Sequence, residues 1–249
     1  MQLIPTDHTE FFHWFKKHTE TYWNKDRDAS PEEKLCPEWI QGAKWIGMTE
    51  EQIDQVQEQY AVVFTPEHRA FLRILHTIDR KERVYNAGGD YYEQPFLFNW
   101  LEDEEAIRLK LHFPYNTILD DVLRMGFWHN RTWGERPDSD EDRTTIFTEL
   151  YNAAPKVIPL TGHRYLVSDA TLERKPVLSV WGADIVCYGL DLRKYLLHEF
   201  NEHLDIRHRR YDVENEQWEW VLNEEYKRSF LYEDQSAVRK VKFWGDFVM

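Results

Sequence analysis

Cysteine is scarce in this chain, and its scarcity argues against a fold held together by disulfides. Only Cys36 and Cys187 are present among 249 residues, and neither lies in a C-x-x-C pattern. A chain of this length buries enough apolar surface to fold without a metal or a disulfide. We therefore expect two reduced thiols in a cytosolic protein.

Long apolar runs are also missing from the sequence. No run approaches the ~18–20 residues that a helix needs to cross a bilayer. The first residues, MQLIPTDH, have neither the basic start nor the apolar stretch of a secretory signal. These absences predict a soluble, cytoplasmic protein that has no membrane partner.

Basic residues are outnumbered, with 31 Lys and Arg against 45 Asp and Glu, a formal net charge of −14. Such a chain is repelled by phosphate backbones, so we expect no nucleic-acid partner. A basic partner protein, such as a nuclease domain, would be attracted. Solubility alone would also explain the acidity. The basic run Arg207–Arg210 is more simply a solvated or internally paired surface than an RNA contact.

Motifs for catalysis and metal binding are absent or wrongly spaced. His198 and His203 resemble the zinc-peptidase pair, but their spacing of five residues turns one ring about 140° away from the other on a helix. The Gly88-Gly89 turn lacks a following G-K-[ST], and His163 lacks a patterned nucleophile and orienting partner. We predict no catalytic residue, no metal site and no cofactor. A hydrolase is the alternative that a deep pocket with shifted titratable groups would favour.

Aromatic residues are abundant, with 11 Trp, 13 Tyr and 14 Phe. Phe11, Trp14, Phe15, His18 and Tyr22 share one face at helical spacing, which predicts a helix in an N-terminal extension over residues 1–42. The polar stretch that follows, residues 24–37, holds two prolines and predicts a connector.

Helix signals continue through the first half of the chain. Thr49 and Gln52 form a capping box before one helix, and Thr65 with Pro66 begins the next. Further helices are predicted at Glu102–Leu111, from Pro114 onward, around residues 146–151 and after a capping Asp191.

Strand signals concentrate in the second half. The predicted strands are Val84–Tyr85, Phe96–Trp100, Val157–Leu160, Tyr165–Val167, Val177–Trp181 and Ile185–Tyr188. Gly182-Ala183 fits a two-residue hairpin turn between the last two. Because strands and helices segregate unevenly, the pattern predicts an α+β fold with a largely antiparallel sheet.

Several short blocks in a fixed order resemble the SUKH superfamily, which includes bacterial toxin-immunity proteins and fungal cell-wall-synthesis regulators. The blocks are WIGMTEEQI at Trp45–Ile53, FTPEHRAFL at Phe64–Leu72, FNW at Phe98–Trp100, the aromatic and WGERP motifs between 127 and 137, APKVIP at residues 154–159, GHRY at Gly162–Tyr165, the hairpin and helix up to Phe200, and FWGD at Phe243–Asp246.

The resemblance implies a single domain over residues 1–249, with a helical extension (1–42), a core (43–200) and a C-terminal elaboration that docks back (201–249). It further implies a roughly six-stranded sheet flanked by helices and no enzymatic activity. Its bacterial members neutralise a cognate toxin by masking it, which makes such a toxin the expected partner. A regulatory scaffold, as in the fungal members, is the alternative.

Candidate partner-binding residues are aromatic, arginine or acidic, the types that anchor and steer protein interfaces. They are Trp128, Trp133, Arg136, Asp138, Asp140, Asp142, Asp184 and Tyr188. Other interpretations remain open for each group. Both indoles could cover the sheet, the acidic run could be a solvated surface, and Asp184 could serve only the turn.

Overall fold

The computed structural model describes residues 4–25, 35–231 and 233–248, which form an α+β fold. Its α-helices are α1 His8–Trp23, α2 Glu50–Tyr60, α3 Pro66–Leu75, α4 Glu104–Asp120, α5 Asn130–Trp133, α6 Asp140–Asn152, α7 Leu192–Glu199 and α8 Glu224–Lys227. Its strands are β1 Trp45–Ile46, β2 Thr77–Ile78, β3 Glu82–Tyr85, β4 Tyr91–Gln94, β5 Lys156–Thr161, β6 Arg164–Ser168, β7 Val177–Trp181, β8 Asp184–Gly189, β9 Arg207–Asp212 and β10 Gln217–Leu222. No helix within these described ranges is long and apolar enough to cross a bilayer.

The strands pair antiparallel, as predicted, but in small sheets. The largest holds four strands in the order β5-β6-β7-β8, and the other pairs are β1-β2, β3-β4 and β9-β10. The expected six-stranded sheet is therefore wrong for the described residues. Phe96–Trp100, expected to be a strand, is irregular, because β4 ends at Gln94 and Pro95 cannot donate a ladder hydrogen bond.

Contacts among the described residues group into two compact units, each built from segments that lie far apart in sequence. One unit comprises residues 4–25, 35–54, 66–97 and 196–231, and the other comprises 55–65, 98–195 and 233–248. The division into residues 1–42, 43–200 and 201–249 stays a prediction. The connector expected at 24–37 lies largely outside the described residues.

The first unit is organised around the aromatic face of α1, which confirms the predicted N-terminal helix. Phe11, Phe15 and Tyr22 are buried as expected, whereas Trp14 and His18 are half-buried. Trp23 is fully buried, and its indole N–H donates to His203 Nδ1 at 3.1 Å. That bond assigns a structural role to His203, one of the two histidines whose spacing resembles that of the zinc-peptidase pair.

Cap predictions for the helices of this unit are confirmed. The Gln52 amide N–H donates to Thr49 Oγ1 at 3.2 Å, and the Thr49 amide N–H donates to Gln52 Oε1 at 2.9 Å. These reciprocal bonds satisfy two donors at the start of α2. Helix α3 begins at Pro66, as predicted.

The second unit packs one face of the four-stranded sheet against helices and the C-terminal segment. Its buried cluster takes alternate residues from β6, β7 and β8 and one residue from β5, together with members of α4, α6 and the C-terminus. Phe243, Trp244 and Phe247 belong to it, so the FWGD segment packs into the core of this unit. Cys187 of the cluster and Cys36 of the first unit are both buried and are not joined by a disulfide.

Helix α4 continues through Pro114, although the sequence predicted a new helix there. A proline inside a helix leaves the carbonyl four residues earlier without its N–H donor. Here that carbonyl belongs to Lys110, and the Tyr165 hydroxyl donates to it at 3.1 Å. Burial raises the pKa of Tyr165, so the phenol stays protonated and keeps its donor hydrogen.

We predict that Tyr165→Phe lowers the free energy of unfolding by roughly 1–2 kcal/mol, because the Lys110 carbonyl loses its donor. In a Pro114→Ala background, the backbone N–H of the introduced alanine supplies that donor from within the helix. The cost of Tyr165→Phe should then fall below about half a kcal/mol. Urea denaturation of the four proteins in this cycle measures the coupling, and equal costs in both backgrounds would show that the hydroxyl does not substitute for the missing N–H.

Two buried histidines of the first unit generate a pH dependence. Burial lowers the pKa of His68 to about 3, with His76 adding to the shift, and lowers the pKa of His76 to about 4. Unfolded histidine titrates near 6.5, so the unfolded state binds more protons between these values. Stability is therefore fully present above pH ~6.5 and is lost as the pH falls.

Between pH ~6.5 and ~4.5, the free energy of unfolding should fall by roughly 2 kcal/mol less in His68→Gln, and likewise in His76→Gln, than in the unmodified protein. Chemical denaturation at several pH values measures the slope for each variant and for the unmodified protein. Slopes that do not change in either variant would mean that other groups cause the acid sensitivity.

Candidate partner-binding surface

Trp133 is a core residue, which corrects its assignment as a partner contact. Its side chain is only 7% exposed, and it stacks on Phe243 with ring centroids 5.7 Å apart and planes at 2°. Its indole N–H donates to Asp246 Oδ2 at 2.9 Å. The core interpretation therefore holds for this indole, because its ring and its polar atom are both occupied inside the unit.

Trp128 and Arg136 lie beside that core and are half-buried. The Trp128 indole N–H donates to the Gly134 carbonyl at 2.9 Å, and its ring meets Trp133 edge-on at 5.3 Å. Arg136 donates to the Val122 carbonyl at 3.3 Å. Both side chains thus fasten the irregular segment to the unit and leave limited area for a partner.

The acidic run mainly caps α6. Ser139 Oγ accepts from the Asp142 amide N–H at 3.0 Å and donates to Asp142 Oδ2 at 2.7 Å. Asp140 pairs with Arg143 at 2.6 Å, and the Asp138 carbonyl accepts from the same guanidinium at 2.7 Å. Carboxylates at a helix N-terminus interact favourably with the helix dipole. The three aspartates are exposed, so they still contribute negative potential to this surface.

Asp184 and Tyr188 come together on the outer side of β8. This strand alternates between exposed and buried residues and forms one edge of the four-stranded sheet in the described part of the chain. Val186 lies between them on the same side, and Trp181 faces Asp184 across the hairpin. Trp181 is 63% exposed, which is a large apolar area for a tryptophan to leave in water.

Arg164 of β6 completes this group of side chains. Its guanidinium lies over the Tyr188 ring, with the central carbon 3.6 Å from the ring centroid, and it donates to Ser179 Oγ at 3.1 Å. Stacking on an aromatic ring holds a planar guanidinium in a fixed orientation. We call Arg164, Trp181, Asp184, Val186 and Tyr188 the hairpin surface.

The tip of the β7-β8 hairpin is held by a π-helical turn, Asp121–Met125, that follows α4. Asp121 Oδ2 accepts from the Ala183 amide N–H at 2.7 Å. Gly182 has φ +59°, and a Cβ atom there would lie 2.1 Å from the same oxygen. Trp181 also contacts Phe113 of α4, with ring centroids 5.6 Å apart. The hairpin therefore presents its outer side chains from a braced position.

His163 lies at the inner border of the hairpin surface. Its ring meets Trp181 edge-on at 5.8 Å, and its carbonyl accepts from the Val180 amide N–H at 2.9 Å. Burial lowers its pKa, helped by the positive charges of Arg164 and Lys110 and opposed by Asp184. A neutral imidazole against an indole adds to the apolar character of this border.

The basic run Arg207–Arg210, noted in the sequence, has partners within its own unit. The basic run on β9 pairs internally, since Arg210 bonds Glu219 at 2.5 Å and Arg209 lies over the Trp218 ring at 5.0 Å. No group of three or more His, Cys, Asp or Glu side chains in the described ranges could hold a metal ion.

Sequence reasoning found two of the five members of the hairpin surface. It assigned Trp181 and Val186 only to strands, without a side of the sheet, and it assigned no role to Arg164. The predicted two-residue turn could have identified Trp181, because a two-residue hairpin fixes which residues share a side and pairs Trp181 with Asp184.

Comparison of the chain with protein-family models, curated proteins and solved structures gives no match.

Gly182→Ala should destabilise the protein by roughly 2–4 kcal/mol, because the methyl group adds a clash with Asp121 to an unfavourable positive φ. Gly162→Ala is the matched control. It also has a positive φ, +52°, but an added Cβ would have no neighbour within 4 Å. The control should therefore cost only about 1–2 kcal/mol. Thermal or urea unfolding compares the two, and equal costs would show that Asp121 does not brace the hairpin.

Proposed function

We propose that this protein binds another polypeptide through the hairpin surface and acts by masking it, as an immunity protein neutralises a cognate toxin domain. The proposal places the chain in the SUKH superfamily, in the cytoplasm and without enzymatic activity of its own. The observation that carries it is the exposed group of Trp181, Val186 and Tyr188 next to the fixed guanidinium of Arg164.

The composition of this surface supports protein recognition. Trp, Tyr and Arg dominate the energy of measured interfaces, and they do so from preorganised positions that lose little entropy on binding. The brace beneath the hairpin and the stacked guanidinium supply that preorganisation. Asp184 offers a charged neighbour at the rim, where it would affect the orientation of a partner more than its affinity.

Charge supports a basic partner. The formal net charge of −14 attracts a cationic toxin, such as a nuclease domain, and speeds its encounter. The exposed carboxylates of Asp138, Asp140 and Asp142 belong to the same unit as the hairpin surface and contribute to this field. Ser139 holds the Asp142 carboxylate and Arg143 holds the Asp140 carboxylate, so these two steer a partner without needing to reorder.

A scaffold that binds several proteins is the second candidate, and one observation favours it. The β9-β10 ribbon of the other unit carries its own exposed aromatic pair, Tyr211 and Trp218, with ring centroids 5.4 Å apart. Trp218 is 59% exposed, close to the exposure of Trp181. Two separate aromatic surfaces suit a protein with more than one partner.

Trp181→Ala should weaken binding to the toxin domain encoded by the neighbouring gene by at least about 10-fold, because it removes the largest exposed apolar side chain of the hairpin surface. Trp218→Ala is the matched control, since it removes the same side chain at similar exposure. Its dissociation constant should stay within about 2-fold of the unmodified protein's. Biolayer interferometry measures both, and rescue of growth during co-expression with the toxin gives the functional readout.

Four outcomes decide between the candidates. Loss of binding and of rescue in Trp181→Ala alone supports masking through the hairpin surface. Loss in Trp218→Ala alone would refute this site. No complex and no rescue by the unmodified protein would refute the immunity function, and recovery of different partners by the two single variants would favour the scaffold.

A further inference from the structure

A cavity of about 720 Å³ lies in the second unit, at the opposite edge of the sheet from the hairpin surface. Its walls are one side of α4, one side of α6, the start of the edge strand β5 and the turn at residues 61–63. Cavities of about 300–1,000 Å³ are typical of small-molecule sites. The proposed protein-binding role makes no use of this space, so the inference below does not rest on it.

The polar lining of the cavity is basic, in contrast to the chain as a whole. Arg108 and His112, one turn apart on α4, and Lys156 of β5 all line it, while no Asp or Glu is among the described lining residues. Lys156 is exposed, and its ammonium nitrogen lies 5.8 Å from the centre of the Tyr151 ring, another lining residue. Arg108 Nε bonds Glu104 Oε1 at 2.9 Å, which holds the guanidinium at the rim. Positive charge gathered in a concave site attracts an anion.

Tyrosine rings form the second component of the lining. Arg108 lies over the ring of Tyr60 at 5.2 Å, and the rings of Tyr115 and Tyr151 meet edge-on at 5.3 Å. Burial raises the pKa of Tyr151 to about 12, so its hydroxyl stays a neutral donor. The Tyr115 hydroxyl lies 2.9 Å from Thr148 Oγ1. Aromatic walls of this kind accept a planar ring edge-on or offset-stacked.

Tyr60 carries the observation that most directly indicates a ligand. Its side chain is only 7% exposed, and its hydroxyl oxygen is buried without a hydrogen-bond partner among the described residues. A buried hydroxyl costs free energy unless it is paired, and this one would gain a partner if a bound group displaced the atoms that now cover it. Burial also raises the pKa of Tyr60, which keeps the hydroxyl protonated as a donor to an anion.

The turn that closes the cavity beside Tyr60 is strained and firmly held. Ala61 has φ +51°, a left-handed conformation that alanine rarely adopts. The Val62 amide N–H donates to the Gln57 carbonyl at 3.1 Å, and Ser168 Oγ donates to the Val63 carbonyl at 2.6 Å. A left-handed residue directly after a helix, with a bond from the next N–H to the carbonyl five residues earlier, is a common helix C-cap, and here it fixes this wall of the cavity.

We propose that this cavity binds a small anion made of an aromatic ring and a phosphate or carboxylate group, with the ring against the tyrosines and the anionic group near Arg108 and Lys156. The Tyr60 hydroxyl donates to the ligand. A phosphorylated nucleoside and a simple aryl phosphate share this chemistry, and the experiment distinguishes them.

Isothermal titration calorimetry on the full chain tests the proposal with four probes: phenyl phosphate, adenosine monophosphate, adenosine and inorganic phosphate. Saturable binding of phenyl phosphate or adenosine monophosphate, at least roughly 10-fold tighter than adenosine and inorganic phosphate, is expected. Tighter binding of adenosine monophosphate than of phenyl phosphate identifies a nucleotide, and the reverse identifies a simpler aryl anion. Equal binding of adenosine or inorganic phosphate, or no binding of either ring-bearing anion, would overturn the proposal.

Variants locate the binding in the cavity. Lys156→Gln should weaken the preferred probe by roughly 10-fold, because it removes a charge-assisted contact, whereas Lys240→Gln changes an exposed lysine of the same unit outside the cavity and should have no effect. Tyr60→Phe should weaken binding roughly 3- to 10-fold. It should leave the melting temperature unchanged or raise it, because it removes an unpaired buried hydroxyl. Unchanged affinity in both cavity variants would overturn the assignment.

Discussion

The hydrogen bond from Tyr165 to the Lys110 carbonyl lets α4 pass through Pro114 without a break. Both candidate sites of the second unit take residues or support from this helix. One side of the helix carries Arg108, His112 and Tyr115 into the cavity. Phe113 supports Trp181 from a neighbouring side, and the turn that follows the helix brings Asp121 under the hairpin tip. A change in the direction of the helix at Pro114 would displace one set of residues relative to the other.

Local signals predicted the parts of the fold that local chemistry determines. The strands of the four-stranded sheet, the turn at Gly182-Ala183, the capping box of α2 and the cap of α7 by Asp191 all follow from short-range patterns. Pro114 misled the prediction because its compensation comes from Tyr165, on a strand more than 50 residues away. The β9-β10 ribbon was missed because its exposed strands mix charged and aromatic residues on both sides and lack the apolar alternation of a half-buried strand.

The candidate surfaces were less predictable than the fold, because burial is a property of the assembled unit. Trp133 and Trp181 are the same residue type in aromatic surroundings. The docked C-terminal segment buries Trp133 through Phe243, whereas Trp181 stays exposed at the end of an edge hairpin. The acidic run shows the same limit. Its composition predicted negative charge, but only the structure assigns Ser139 and Asp142 to the cap of α6.

Exposure alone does not distinguish a binding surface from an incidental aromatic, and the contrast between Trp181 and Trp218 shows what else is needed. Trp218 lies on a two-stranded ribbon, and its ring contacts are Tyr211 and Arg209. An isolated ribbon of that size is only marginally stable in water, so its side chains lose more freedom when they are immobilised by a partner. Trp181 belongs to a four-stranded sheet whose hairpin is fixed by Asp121 and supported by Phe113. For equal contact area, the braced surface gives the larger net free energy of binding.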